Sequence, residues 1–153
     1  MKSSLLFLPF LLGFVLAEEK KVEFAGLGSD ALGQEFYPAV AVAQFTGPTI
    51  IGEFNFYQDA SGEVTATGAF QKGLKPGQRY RFRFHEGTNC DRLGEMSLEH
   101  EFTNLRAIQA GGTAPVQEKI DLAHLTGNTG LIGSPWVLSD GSRDLACVVL
   151  KKT

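Results

Sequence analysis

Arg79, Arg81, Arg83 and His85 fall at every second position of RYRFRFHEGTNC, residues 79–90, with Tyr80, Phe82 and Phe84 between them. In an extended strand, side chains two apart share a face. One face therefore carries three guanidiniums and an imidazole, and the other carries three aromatic rings. A cationic stripe of this kind can bind a small anion through charge-assisted hydrogen bonds. It can equally be a solvated face balanced by cross-strand carboxylates, with Glu63 and Glu118 as the expected partners. His85 could also offer a metal a neutral ring nitrogen. His100, flanked by Glu99 and Glu101, supplies further ligand types, so a zinc or copper site of low affinity built from His85, His100 and Glu101 or Glu99 is the second chemistry to consider. Cys90 is not expected to act as a nucleophile, because no histidine is placed to activate it and secretion would favour its oxidation.

The start of the chain sets the compartment. Lys2 precedes the apolar run LLFLPFLLGFVLA, residues 5–17, which is followed at once by EEKK. A basic start, a short apolar stretch and small or aliphatic residues at Val15 and Ala17 predict a secretory leader cleaved after Ala17. A membrane span needs roughly 20 apolar residues, more than this run provides. The expected organisation is thus a signal peptide over 1–17 and one domain over 18–153, secreted and extracellular, without a membrane anchor. The formal net charge is −3, and loss of Lys2 with the leader makes the remainder more acidic. Nucleic-acid and anionic-membrane binding, which need a basic surplus, are therefore not expected. Cys90 and Cys147 are the two cysteines. In an oxidising compartment an even pair implies one disulfide, which would stabilise the chain by about 4 kcal/mol on a loop-entropy basis.

The elements that must position these residues read as strands. Glycine numbers 18 and phenylalanine 12, and no long apolar 3.6-residue repeat occurs. PAVAVAQF (38–45), TIIGEFNFYQ (49–58) and EVTATGAF (63–70) are expected strands, with DASGE (59–63) as a turn in which Gly62 can take a positive φ. GLKPGQ (73–78) is a second turn. After RYRFRFHE, residues 87–101 show no strong pattern, and NLRAI (104–108), VQEKIDL (116–122), PWVL (135–138) and LACVVL (145–150) complete the set. Roughly eight strands with turns every eight to twelve residues predict an all-β antiparallel sandwich or barrel.

The order of a Gly-rich strand pair, a GLKPG turn, a strand ending F-x-F-H-E, a cysteine soon after and a final GSRDLAC (141–147) resembles the Cu,Zn superoxide dismutase family over about residues 39–151. The family's corresponding runs read F-H-V-H-E-x-G and G-S-R-L-A-C, so this chain carries Asp144 as an inserted residue. The resemblance implies an eight-stranded Greek-key barrel and a disulfide between Cys90 and Cys147. It also implies a copper site of four histidines, whose neutral imidazoles hold both oxidation states, and here the match fails. The H-x-H positions are Arg83 and His85, and an arginine has no lone pair to donate. The later copper histidine should fall near Ser139. The zinc-bearing loop after the cysteine is much shortened, and His124 maps onto a strand end that bears no ligand in the family. Arg143 matches the arginine that guides superoxide, but with no copper to guide it to, its expected role is to hydrogen-bond loop carbonyls beside the disulfide.

These readings lead to a secreted superoxide dismutase-like protein that has lost its copper site and serves as a non-catalytic binding or interaction module, with no catalytic residue and no cofactor expected. Its partner would be an extracellular protein or a small anion, and a monomer is expected because the family's dimer-forming loop is shortened. Two alternatives remain open: a dismutase with an unusual or zinc-only metal site, and an extracellular effector-type interaction protein.

Overall fold

The computed structural model describes residues 36–153; the expected leader and its expected cleavage point lie outside the described residues. The elements are β1 (Ala39–Thr46), β2 (Ile51–Gln58), β3 (Val64–Lys72), β4 (Arg81–His85), β5 (Met96–His100), β6 (Val116–Lys119), β7 (Pro135–Ser139), β8 (Asp144–Val149) and β9 (Lys151–Lys152). They form two antiparallel sheets, ordered β6-β3-β2-β1-β9 and β5-β4-β7-β8. The first three strands form a meander, the chain then crosses to the second sheet as β4 and β5, and β6 returns beside β3. Leu150 separates β8, which pairs with β7, from β9, which pairs with β1. The last strand thus passes from one sheet to the other and partly closes the sandwich.

Alternation builds the core. Ala41, Ala43 and Phe45 on β1, Phe54 and Phe56 on β2, and Ala66 and Phe70 on β3 point inward against Phe82, Phe84, Trp136 and Leu138 of the second sheet. The Trp136 ring is the hub, with its centroid 5.4 Å from Phe45, 5.2 Å from Phe54, 5.0 Å from Phe56 and 4.8 Å from Phe82. Small residues make room for these rings. A Cβ placed on Gly68 would lie 2.6 Å from the Phe54 ring directly across the ladder, so that position must be glycine for the ring to lie over the backbone.

Several expected boundaries move. A strand, β5, lies within residues 87–101, where no pattern was legible. NLRAI is not a strand: Leu105 is buried from a loop, and only Ala107 forms an isolated bridge, to Thr113. VQEKIDL shortens to Val116–Lys119, since the chain turns at Ile120–Ala123 with Leu122 at φ 62 and exposed. The RYRFRFHE strand begins at Arg81 instead of Arg79. With the two-residue β9, the strands among the described residues number nine.

Two turns are fastened by aspartates. The Asp59 carboxylate accepts from Ser61 N (2.8 Å), Ser61 Oγ (2.6 Å) and Glu63 N (3.0 Å), with Gly62 at φ 88. Asp140 repeats the device between β7 and β8, accepting from Ser142 Oγ (2.7 Å), Ser142 N (3.0 Å) and Arg143 N (3.0 Å). These bonds, led by that of the Ser142 hydroxyl, lower its pKa to about 2 because they favour the charged form.

Candidate functional site

β4 presents two unlike faces. Phe82 and Phe84 are fully buried, while Arg81, Arg83 and His85 point to the outside of the four-stranded sheet. The guanidiniums are compensated. Arg79 lies 3.5 Å from Glu101, and Arg81 lies 3.4 Å from Glu99 and 4.0 Å from Glu101. Arg83 is paired through Nη2 with Asp144 Oδ1. The expected partners Glu63 and Glu118 belong to the other sheet instead. Glu63 takes Lys119 at 2.7 Å. Glu118 accepts from Thr103 N, Thr103 Oγ1 and Asn104 N at 3.1, 2.9 and 2.9 Å.

Asp144, the residue that interrupts the GSR-LAC run, has a structural counterpart. Between β7 and β8 the register shifts at Leu138/Ser139: Leu138 faces Ala146, but Ser139 faces Asp144. Leu145 is thereby left unpaired in a β-bulge, which re-aims side chains at a strand end. Here the bulge brings a carboxylate to Arg83.

His85 is half-buried, with Nδ1 3.1 Å from Gly94 O and a buried Nε2 that has no partner. Gly94 belongs to the β4–β5 connection, whose backbone is closed by Gly94 N to Glu86 O and Glu86 N to Glu95 O, both 2.8 Å. Cys90 in this connection is joined to Cys147 of β8, with Cα atoms 5.8 Å apart and a sequence separation of 57. Val137 lies between Arg83 and Cys147 in the register and is fully buried although it is on the outer face.

The remaining candidates do not join this cluster. His100 pairs across the ladder with Phe82 and so shares the inward face, opposite to His85. Its ring meets Phe102 edge-on at 4.7 Å, and its Nε2, buried without a hydrogen bond, lies 3.8 Å from Glu118 Oε2. Burial lowers the His100 pKa, against the raising effect of the Glu118 and Asp121 charges. His124 stacks on Phe36 at 4.2 Å, with Nδ1 3.2 Å from Gly62 O. Glu99 and Glu101 are held by the arginines. Arg143 does not reach carbonyls beside the disulfide: its exposed side chain meets Asp140 at 3.4 Å. Ser139 spends its hydroxyl within the β7–β8 turn, donating to Arg143 O (3.0 Å) and accepting from Gly141 N (3.1 Å).

This donor set does not fit copper. Arg83, two residues before His85, is a guanidinium already ion-paired, and Ser139, in register with Arg81 at the other end of β4, is a hydroxyl already hydrogen-bonded; neither supplies the imidazole nitrogens that both copper oxidation states require. Among the described residues no group of three or more His, Cys, Asp or Glu side chains is placed to hold a metal ion. Nor is any described helix long and apolar enough to cross a membrane.

Sequence reasoning missed Gln58. Its side chain is fully buried and saturated: Nε2 donates to Tyr37 O (2.8 Å) and Thr126 Oγ1 (2.7 Å), and Oε1 accepts from Leu125 N (2.5 Å). A lone amide on the core face of a β2 otherwise carrying phenylalanines was the signal available.

No protein-family model matches the chain, and no curated protein sequence does. Among solved structures, the chain is similar to the clock protein EA4, with 22% identity, a TM-score of 0.57, and coverage of 76% of this chain and 96% of that one. At that identity the likeness establishes the fold, an all-β antiparallel sandwich, and not a shared activity.

Proposed function

We propose that the chain is a secreted relative of Cu,Zn superoxide dismutase whose copper position has been converted into an ion pair, leaving a non-catalytic, disulfide-braced binding module. The observation that carries this reading is the Arg83–Asp144 pair. The residue standing where the family has a copper histidine is bound to the residue inserted into the family's last-strand motif. Two departures that look unrelated in the sequence thus meet as one compensated change. The strand order, with β6 beside β3 and β4 beside β7, and the Cys90–Cys147 link are what the resemblance implies. Secretion rests on the leader-like residues 1–17 and accords with the disulfide. The expected partner is an extracellular protein or a small anion, and the expected state is monomeric. An extracellular effector role is the same reading with an organism's target supplied.

The alternative, a metal-dependent dismutase, draws on the unpartnered Nε2 of His85. With Nδ1 set toward a carbonyl, this nitrogen keeps the lone pair that a metal would use. One imidazole without partners gives a site of low affinity.

Equilibrium dialysis of the mature chain against copper and zinc, followed by metal analysis, tests the proposal. It predicts well under one equivalent of either metal retained after exchange into a weak chelator. One tightly held equivalent of copper lost in His85→Ala would contradict it.

A further inference from the structure

At the Arg79–Glu101 end of the charged sheet face, a concavity of about 470 Å³ opens where the β3–β4 turn meets the segment that follows β5, a volume in the range of small-molecule sites. Its apolar lining is Tyr80, Phe102 and Leu105, all buried. Its polar lining has donors in excess. Arg106 is exposed and has no carboxylate or hydrogen-bond partner among the described residues. The buried Tyr80 oxygen accepts the Lys75 N–H at 2.6 Å, and no described residue accepts the hydroxyl proton it still has to give. Arg79 keeps N–H groups beyond its single contact with Glu101, the one carboxylate of the lining, which is itself shared with Arg81. The wall at Thr103 is held in place through the bonds that Glu118 accepts from its N–H and hydroxyl.

A buried hydroxyl with an unspent proton and an unpaired guanidinium beside an apolar floor ask for a ligand with a compact anionic acceptor group and an apolar body. We propose that this concavity binds small organic carboxylates, the carboxylate meeting Arg106 and the Tyr80 hydroxyl and the apolar part lying on Phe102 and Leu105. A carboxylate suits the planar fork of arginine, and the apolar floor adds affinity that a bare inorganic anion cannot use. The site is independent of what became of the copper position.

The test is a titration of the isotopically labelled mature chain, followed by amide NMR, with three probes: 3-phenylpropionate, its uncharged amide 3-phenylpropionamide, and inorganic phosphate. The carboxylate is expected to shift the amide signals of Phe102, Thr103, Leu105 and Arg106 saturably, and to bind at least tenfold more tightly than either other probe. Arg106→Ala, an exposed change that leaves the fold intact, should weaken the carboxylate at least tenfold. Tyr80→Phe should weaken it as well, while Arg83→Ala, farther along the charged sheet face, should not. Equal binding of the amide would overturn the role of the charge, and equal binding of phosphate would overturn the role of the apolar floor. Indifference to Arg106→Ala, shifts centred on Arg81 and Arg83, or no saturable shift would each overturn the site itself.

Discussion

Arg83 on β4 and Asp144 on β8 form an ion pair across the outer face of the four-stranded sheet, spanning the intervening strand β7. The Asp144 side chain is about half exposed at 48%, while that of Arg83 is 26% exposed, so solvent screening limits what the pair contributes. In a double-mutant cycle with Arg83→Met and Asp144→Asn, chemical denaturation should give a coupling energy of about 1 kcal/mol. Strict additivity of the two single changes would mean that the side chains do not act together.

Gln58 should matter more than any residue of the charged face. Gln58→Leu keeps the volume roughly constant but removes the amide oxygen that accepts the Leu125 N–H, which then loses its side-chain partner. Leaving a buried polar group unsatisfied costs about 1–3 kcal/mol, so urea unfolding should show a loss in that range. Hydrogen exchange at the Leu125 amide should accelerate together with that loss.

Acid sensitivity should trace to His100. Its folded pKa is lowered from 6.5 by burial, so between that value and the folded one the unfolded chain binds more protons than the native chain. The stabilising contribution is complete above about pH 6.5 and is lost as pH falls through the folded pKa. Glu118 adds a second loss at lower pH. Burial raises its pKa, but the bonds from Asn104 N, Thr103 N and Thr103 Oγ1 outweigh this and leave it below 4.5. Its contribution therefore disappears only as pH falls from that range. His100→Leu should flatten the stability profile just below about pH 6.5 and leave the steeper acid limb in place; an unchanged slope in the variant would refute the assignment.

How legible these features were in the sequence follows from their physical origin. The alternation of Phe54 and Phe56, or of Phe82 and Phe84, is a local consequence of a pleated strand with one buried face, and it could be read directly. MSLEH, which became β5, could not. It is an edge strand that contributes Leu98 to the core, while Met96 is exposed and Glu99 faces the arginines, so its period is weak. NLRAI misled in the opposite direction, because Leu105 earns its burial from a loop covering the end of the sandwich. Partner choice on the charged face was hidden for a different reason. Which carboxylate meets which arginine depends on register between strands distant in sequence, and on a bulge that turns Asp144 toward Arg83. That Arg83 and Ser139 offer no imidazole nitrogen was legible from residue types alone, wherever the fold places them.

The most direct test of the converted-site account is superoxide consumption by the purified mature chain after loading with copper and zinc and removal of free metal, measured beside a His85→Ala variant. The account predicts a rate at the background of metal-free protein, equal in the two forms. A fast rate that disappears in the variant would contradict it and return the chain to the enzymes.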